Sequence, residues 1–202
     1  MGNIGLGYTY QSHKWRNRVY LMGFGAFQNP EQRAPDNFSR VTTFAGRLHY
    51  RLSYRVWSDA KWRLFAGVTS NNVWDYRTHN RFGNSSENFT GLAGLGPTVH
   101  VQRPFGLWGQ KWQVRYTLDV PVAAFVVRPG FIKPLLVEEP SVQEWAFWGD
   151  YSSVFSTFKL AWLLNNGNQV LLSYQWEYAT YKPLNKVQLA GHHLALSALF
   201  KF

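Results

Sequence analysis

Apolar side chains recur at every second residue over long stretches of this chain, a period that fits an extended strand with one oily face and no helix. From Lys111 to Val127 the even positions are Trp112, Val114, Tyr116, Leu118, Val120, Val122, Ala124 and Val126, whereas the odd ones include Lys111, Gln113, Arg115, Thr117 and Asp119. Successive strand side chains point to opposite faces, so the two sets separate. Thr43 to Trp57 repeats the pattern, with Phe44, Leu48, Tyr50, Leu52, Tyr54 and Val56 set against Arg47, His49, Arg51, Ser53 and Arg55. Gln169 to Tyr181 repeats it again, with Val170, Leu172, Tyr174, Trp176 and Tyr178 opposite Ser173, Gln175 and Glu177. So many basic side chains on one face would be costly in a dry sandwich core. A wet or ion-paired lumen tolerates them.

The remaining strands are expected at Asn3–Gln11, Val19–Phe27, Lys61–Asn71, Asn88–Gln102, Ser152–Leu164 and Lys186–Phe202, about nine in all. Short turns are read at Ser12–Asn17, Ser58–Ala60, Phe105–Gln110 and Asn165–Asn168, the last an Asn-Asn-Gly-Asn hairpin signal. Longer polar loops alternate with them at 28–40, 77–87 and 128–150, with a small fourth loop at 181–185. Pro97 and Pro121 fall inside expected strands, where each removes a ladder donor, so a bulge or a strand end is expected at both.

Composition narrows the setting. The 202 residues suit one domain, with 18% aromatic and only 16% charged side chains. No window approaches the roughly 18 consecutive apolar residues of a membrane helix, so a membrane-spanning form of this chain must be a barrel, which needs an apolar residue only at every second position. Cysteine is absent, which excludes a disulfide framework and a thiolate metal site. The net charge of +10 does not read as a nucleic-acid footprint, because the basic residues alternate with apolar ones along strands.

Counting back from the end, Phe202, Phe200, Ala198, Leu196 and Leu194 form an alternating apolar series closed by a terminal Phe. This ending resembles the C-terminal β-signal of Gram-negative outer-membrane β-barrel proteins. The Arg-Pro-Gly run at Arg128–Gly130 and the aromatic, Gly-rich strands look like barrels of the Bacteroidota. The resemblance implies an all-β, transmembrane, antiparallel up-and-down barrel in the bacterial outer membrane. It also implies outer-membrane lipid and lipopolysaccharide as surroundings, the barrel-assembly machinery as partner during insertion, and other outer-membrane proteins as further partners. Trp62, Trp112, Tyr116, Trp162, Tyr174, Trp176 and Tyr178 then belong to the aromatic girdles of such a barrel. The rival reading of these rings is the core of a soluble sandwich.

Bacterial barrels have an even strand number and start from the periplasm. Nine strands break that parity, so a tenth strand and an export signal are expected upstream of Met1. The competing expectation is a tenth strand at Phe131–Val142.

The inward face carries Arg47, Arg51, Arg55, Lys61, Arg63, Lys111, Arg115, Lys159 and Lys201, with His49 and His193, against the acids Asp119 and Glu177. Such a lumen favours anions, yet a barrel of about eight to ten strands holds little beyond its own side chains. Pairs of Arg and acid plugging the lumen are therefore weighed above an open pathway. Barrel-embedded lipid hydrolases place a His two residues before a Ser, and omptin-type proteases use paired aspartates with an Asp-His couple. Neither spacing occurs here.

His193 and Ser197 share a face but stand about 13 Å apart along a strand, too far for proton transfer. Glu177 on the neighbouring strand is a nearer partner for His193. No metal-ligand spacing or phosphate loop is found, and no catalytic residue, metal or cofactor is expected. The favoured expectation is a non-enzymatic barrel, an accessory or structural subunit of an outer-membrane assembly. The alternatives are a small anion-favouring channel, a lipid-modifying or proteolytic surface enzyme, and adhesion through 128–150, where Trp145, Phe147 and Trp148 either bind a partner or fold over the barrel mouth.

Overall fold

The computed structural model describes residues 2–28, 41–79, 87–128, 142–182 and 187–201. Every regular element in them is a strand: β1 (Gly2–Gln11), β2 (Trp15–Gln28), β3 (Val41–Ser58), β4 (Arg63–His79), β5 (Glu87–Leu107), β6 (Gln110–Asp119), β7 (Ala123–Arg128), β8 (Val142–Phe147), β9 (Tyr151–Leu163), β10 (Gln169–Tyr181) and β11 (Val187–Leu199). There is no helix among the described residues that is long and apolar enough to cross a membrane. All pairings are antiparallel, in the order β1-β2-β3-β4-β5-β6-β9-β10-β11, with β7 between β5 and β8.

The eleven segments are nine strands, two of them interrupted. β6 and β7 both pair with β5 and are separated only by Val120-Pro121-Val122. β8 and β9 likewise run on from one another through a turn that contains Gly149 at φ 107°. The sheet curls into a half-barrel, because side chains of β3 touch those of β6, β9 and β10 across its concave face. β1 and β11 are its edges and are not paired with each other among the described residues.

The period-two reading decides the faces as far as Pro121; past that break the alternation shifts by one residue, so Ala124 and Val126, expected on the oily outer face, turn inward. Leu172, Tyr174, Phe158, Trp162, Tyr116 and Leu194 lie outward on the convex face, whereas Asp119, Thr117, Thr157 and Glu177 are buried on the concave one. A small apolar cluster of Ala124, Val126, Ala146, Tyr151 and Tyr181 fills the concave side beneath β7 and β8.

Several boundaries differ from the sequence reading. β2 starts at Trp15, so the first turn is shorter than Ser12–Asn17: Ser12 accepts the Trp15 amide at 3.0 Å and the strand resumes there. β4 continues to His79 instead of stopping at Asn71, because β3 starts at Val41 and pairs with it along its whole length. The turn after β5 contracts to Trp108-Gly109, both at positive φ (52° and 71°), the geometry of a tight hairpin. The last strand ends at Leu199, so Phe200 lies beyond it.

The 128–150 segment is not wholly loop. β8 pairs with β7 in it, and Trp145 and Phe147 stand on the convex face, where Trp145 packs 5.4 Å from Phe125. Trp145 and Phe147 therefore lie on the convex face, Glu144 and Ala146 take the inward positions, and Trp148 is exposed in the turn after β8. The expected tenth strand at Phe131–Val142 lies outside the described residues, apart from Val142 at the start of β8. So do Phe202 and most of the loops at 28–40, 77–87 and 181–185.

The two prolines behave differently. Pro121 interrupts its strand as expected, but Pro97 does not interrupt β5. The Pro97 carbonyl accepts the Val120 amide at 3.0 Å, so its missing N–H faces the side on which the neighbouring strand itself breaks at Pro121. No bond to β4 is lost, and one proline accommodates the other.

Candidate functional site

The concave face is the only place where many polar groups converge among the described residues, and its neighbours come from strands far apart in sequence. Alternation places Arg16 and Arg18 of β2, Arg47, His49 and Arg51 of β3, Thr98, His100 and Gln102 of β5, Arg115, Thr117 and Asp119 of β6, Lys159 of β9 and Glu177 of β10 on it. Curvature then brings opposite walls together.

Asp119 is the centre. It is 0% exposed and receives Arg51 in a fork: Nε donates at 2.9 Å to Oδ1 and 3.0 Å to Oδ2, and Nη2 also donates to Oδ2. The Thr98 hydroxyl donates to Oδ1 at 2.5 Å, and His49 Nε2 stands 3.4 Å from Oδ2 and 2.8 Å from the Thr69 hydroxyl. Burial of a carboxylate is tolerable only with such a set of donors.

Glu177 forms a second node. Arg47 Nη1 lies 2.7 Å from its Oε2, and His193 Nε2 donates to Oε1 at 3.1 Å, with Gln175 Nε2 at 3.3 Å from Oε2. Phe155 of β9 sits between the nodes, 5.5 Å from the Arg47 guanidinium carbon and 6.3 Å from the His49 ring. The His193–Glu177 contact is the one weighed from the sequence. Ser197 pairs in register with Leu171, four pairs away from the His193–Gln175 pair, and no hydroxyl hydrogen-bonds to the couple among the described residues.

The third node was not foreseen. Arg16 Nη1 contacts His100 Nε2 and donates to Gln102 Oε1 at 3.3 Å, while His100 Nδ1 is 2.8 Å from the Thr117 hydroxyl. The turn expected at Ser12–Asn17 takes in Arg16, and Arg18 falls just before the strand expected from Val19. The signal that could have recovered them is the alternation Arg16, Arg18, Tyr20 against Trp15, Val19, Leu21.

The other expected lumen residues are more dispersed. Arg115 donates to Gln113 at 2.7 Å and to Gln169 at 2.5 Å, both neutral acceptors. Lys159 pairs in register with Arg115. Arg55 reaches only His13, 2.8 Å away in the first turn, and Arg63 is exposed at the start of β4. Neither joins the buried network. Of the β-signal series, Leu194, Leu196 and Ala198 line the convex face of β11 and Phe200 is exposed just after it. No group of three or more His, Asp or Glu that could hold a metal ion occurs among the described residues.

Arg–acid pairs thus cross the concave face and join strands that are not neighbours in the sheet. No family model, curated protein or solved structure matches this sequence.

Proposed function

We propose that this chain is the membrane-spanning sheet of a bacterial outer-membrane β-barrel that acts without catalysis, as an accessory or structural subunit of an outer-membrane assembly. The observation that carries the reading is a contiguous oily belt on the convex face of β6, β9, β10 and β11, combined with a charged concave face. In register, Trp112, Trp162 and Val170 form one row of the belt, Val114, Leu160, Leu172 and Leu196 the next, and Tyr116, Phe158, Tyr174 and Leu194 a third. Water would not tolerate so large a contiguous apolar surface on a monomer, whereas lipid is its natural solvent.

Strand length agrees. The 13 residues of β10 extend about 44 Å, which at a tilt of about 40° rise about 34 Å, more than the roughly 25 Å apolar band of such barrels. The surrounding partners would be outer-membrane lipid and lipopolysaccharide.

The two edges support the subunit role. Nine strands, each antiparallel to the next, leave β1 and β11 running in the same direction. Both present apolar side chains with little cover: Ile4 and Leu6 are 78% and 76% exposed, Leu194 and Leu196 75% and 76%. Exposed edges of this kind invite a further strand, and a tenth strand antiparallel to both would close the ring with the even number expected of bacterial barrels. Isolation of the tagged chain from native outer membranes in mild detergent, followed by cross-linking and a native gel, is expected to yield it together with other outer-membrane proteins. Recovery solely as a monomer would count against the subunit role.

The excess of basic groups on the concave face favours a second reading, an anion-conducting barrel. The Arg47–Glu177 and Arg51–Asp119 bridges across that face weigh against it. Planar-bilayer recordings without anion-selective conductance would remove it.

A further inference from the structure

Cations on the concave face outnumber the acids that could pair with them, and the excess is concentrated at one place. A recess between β2, β3, β5 and β6 is lined by Arg16, Arg18, Arg51, Ser53, Thr98 and His100, with Thr117 at its wall. Arg18 and Arg51 are register partners, so two guanidinium groups leave adjacent strands side by side. Arg115 and Lys159 are register partners as well, on the flanking strands β6 and β9.

Asp119 is already engaged by Arg51 through three contacts and by Thr98, and Glu177 by Arg47 and His193. That leaves four cations without a carboxylate. Arg16 has only neutral acceptors, and so has Arg115. The Arg18 side chain makes no hydrogen bond among the described residues, and its guanidinium carbon lies 5.9 Å from the Tyr20 ring centroid. Lys159 makes none either. Like charges taken out of water without partners are costly, and a counter-ion removes much of that cost.

We propose that this recess is an anion-binding site, with Arg16, Arg18 and Arg51 as its donors, and that its ligand is a monatomic anion of the size of chloride. Size decides the class: the free space between these side chains accommodates about one water-sized particle. A phosphate or carboxylate headgroup requires several times that space. The hydroxyls on the wall do not compete, since Thr98 donates to Asp119 and Ser53 to the Arg16 carbonyl. The site follows from the concave side chains alone and stands even if the sheet does not lie in a bilayer.

The test compares urea unfolding of the purified, folded protein in sodium chloride and in sodium gluconate at equal ionic strength, with sodium phosphate as a third arm. Chloride at ten times its Kd is expected to shift the folding equilibrium about elevenfold toward the native state, saturably. Arg18→Gln is expected to lose that dependence, whereas Arg63→Gln, at the exposed start of β4, keeps it. Equal stability in chloride and gluconate would overturn the site, and so would a chloride effect that survives in Arg18→Gln. A phosphate effect larger than that of chloride would overturn the monatomic assignment. Should Arg18→Gln fail to fold, anomalous scattering from bromide-soaked crystals of the unaltered protein decides: density between Arg16, Arg18 and Arg51 supports the site, and its absence refutes it.

Discussion

Arg47 of β3 reaches Glu177 of β10 across the concave face, Nη1 to Oε2 at 2.7 Å, although four strands separate them in the sheet. Their side chains are only 12% and 7% exposed, so each charge depends on the other for what water no longer supplies. Removing one partner of such a pair costs about 3–5 kcal/mol, because the survivor stays buried and uncompensated, whereas replacing both with apolar groups is often close to neutral. Glu177→Leu is therefore expected to lower unfolding stability by about 3–5 kcal/mol, and Arg47→Met with Glu177→Leu to recover most of the loss. Denaturant titration of the two single variants and the double variant measures the coupling. Simple additivity would show that the bridge does not hold the walls together.

Gly96 and Gly106 lie in one strand and should respond oppositely to the same change. A Cβ on Gly96 would meet the Val120 carbonyl oxygen at 2.2 Å and the Pro121 Cα at 2.6 Å, backbone atoms pinned where β6 gives way to β7. A Cβ on Gly106 meets nothing within 4 Å. Gly96→Ala is expected to destabilise by about 1–3 kcal/mol through overpacking, and Gly106→Ala to be neutral or stabilising by up to about 1 kcal/mol. Urea midpoints of the two variants provide the comparison.

How much of this was legible depended on whether a feature is local. Alternation assigned Arg51 and Asp119 to the concave face from their neighbours in the chain, and the structure places both there. That they meet depends on how far the sheet curls, which no single strand encodes. β8 stayed hidden because the contrast between its faces is weak: Glu144 points inward to the Tyr181 hydroxyl as the pattern requires, but apolar Ala146 is buried beside it and polar Gln143 stands exposed on the face of Trp145 and Phe147. Pro97 misled for a related reason: a missing donor matters only on a side where the neighbour offers an acceptor. The His193–Glu177 contact was readable because it joins adjacent strands, one step beyond local pattern.

Asp59, in the turn between β3 and β4, offers a pH probe outside the strands. The backbone amides of Trp62 and Lys61 donate to its Oδ1 at 2.5 and 2.7 Å and, in that order, hold its carboxyl below the usual range for aspartate. A folded-state pKa below the unfolded one means the contribution is fully present above the unfolded value of about 3.9 and is lost as pH falls through the folded one. The Asp59→Asn variant is expected to lose less stability than the unaltered protein between about pH 5 and pH 2. Parallel acid titrations of stability are the measurement, and equal slopes would refute this contribution of Asp59.

Leu172 offers the sharpest test of the solvent that the convex face meets. It is 47% exposed and sits in a row with Val114, Leu160 and Leu196, flanked by a tryptophan row on one side and a tyrosine-phenylalanine row on the other. If that row lies near the bilayer midplane, a charge there must be stripped of water or pull water in with it. Leu172→Arg is then expected to cost about 2–4 kcal/mol, and Thr180→Arg, on the same face four rows further along and one residue from the end of β10, about 0–1 kcal/mol. On a water-exposed surface both would fall within about 0.5 kcal/mol of the unaltered protein, since isolated surface substitutions rarely matter. Reversible unfolding from phospholipid vesicles separates the two cases, and only a depth-dependent penalty is compatible with lipid around this sheet.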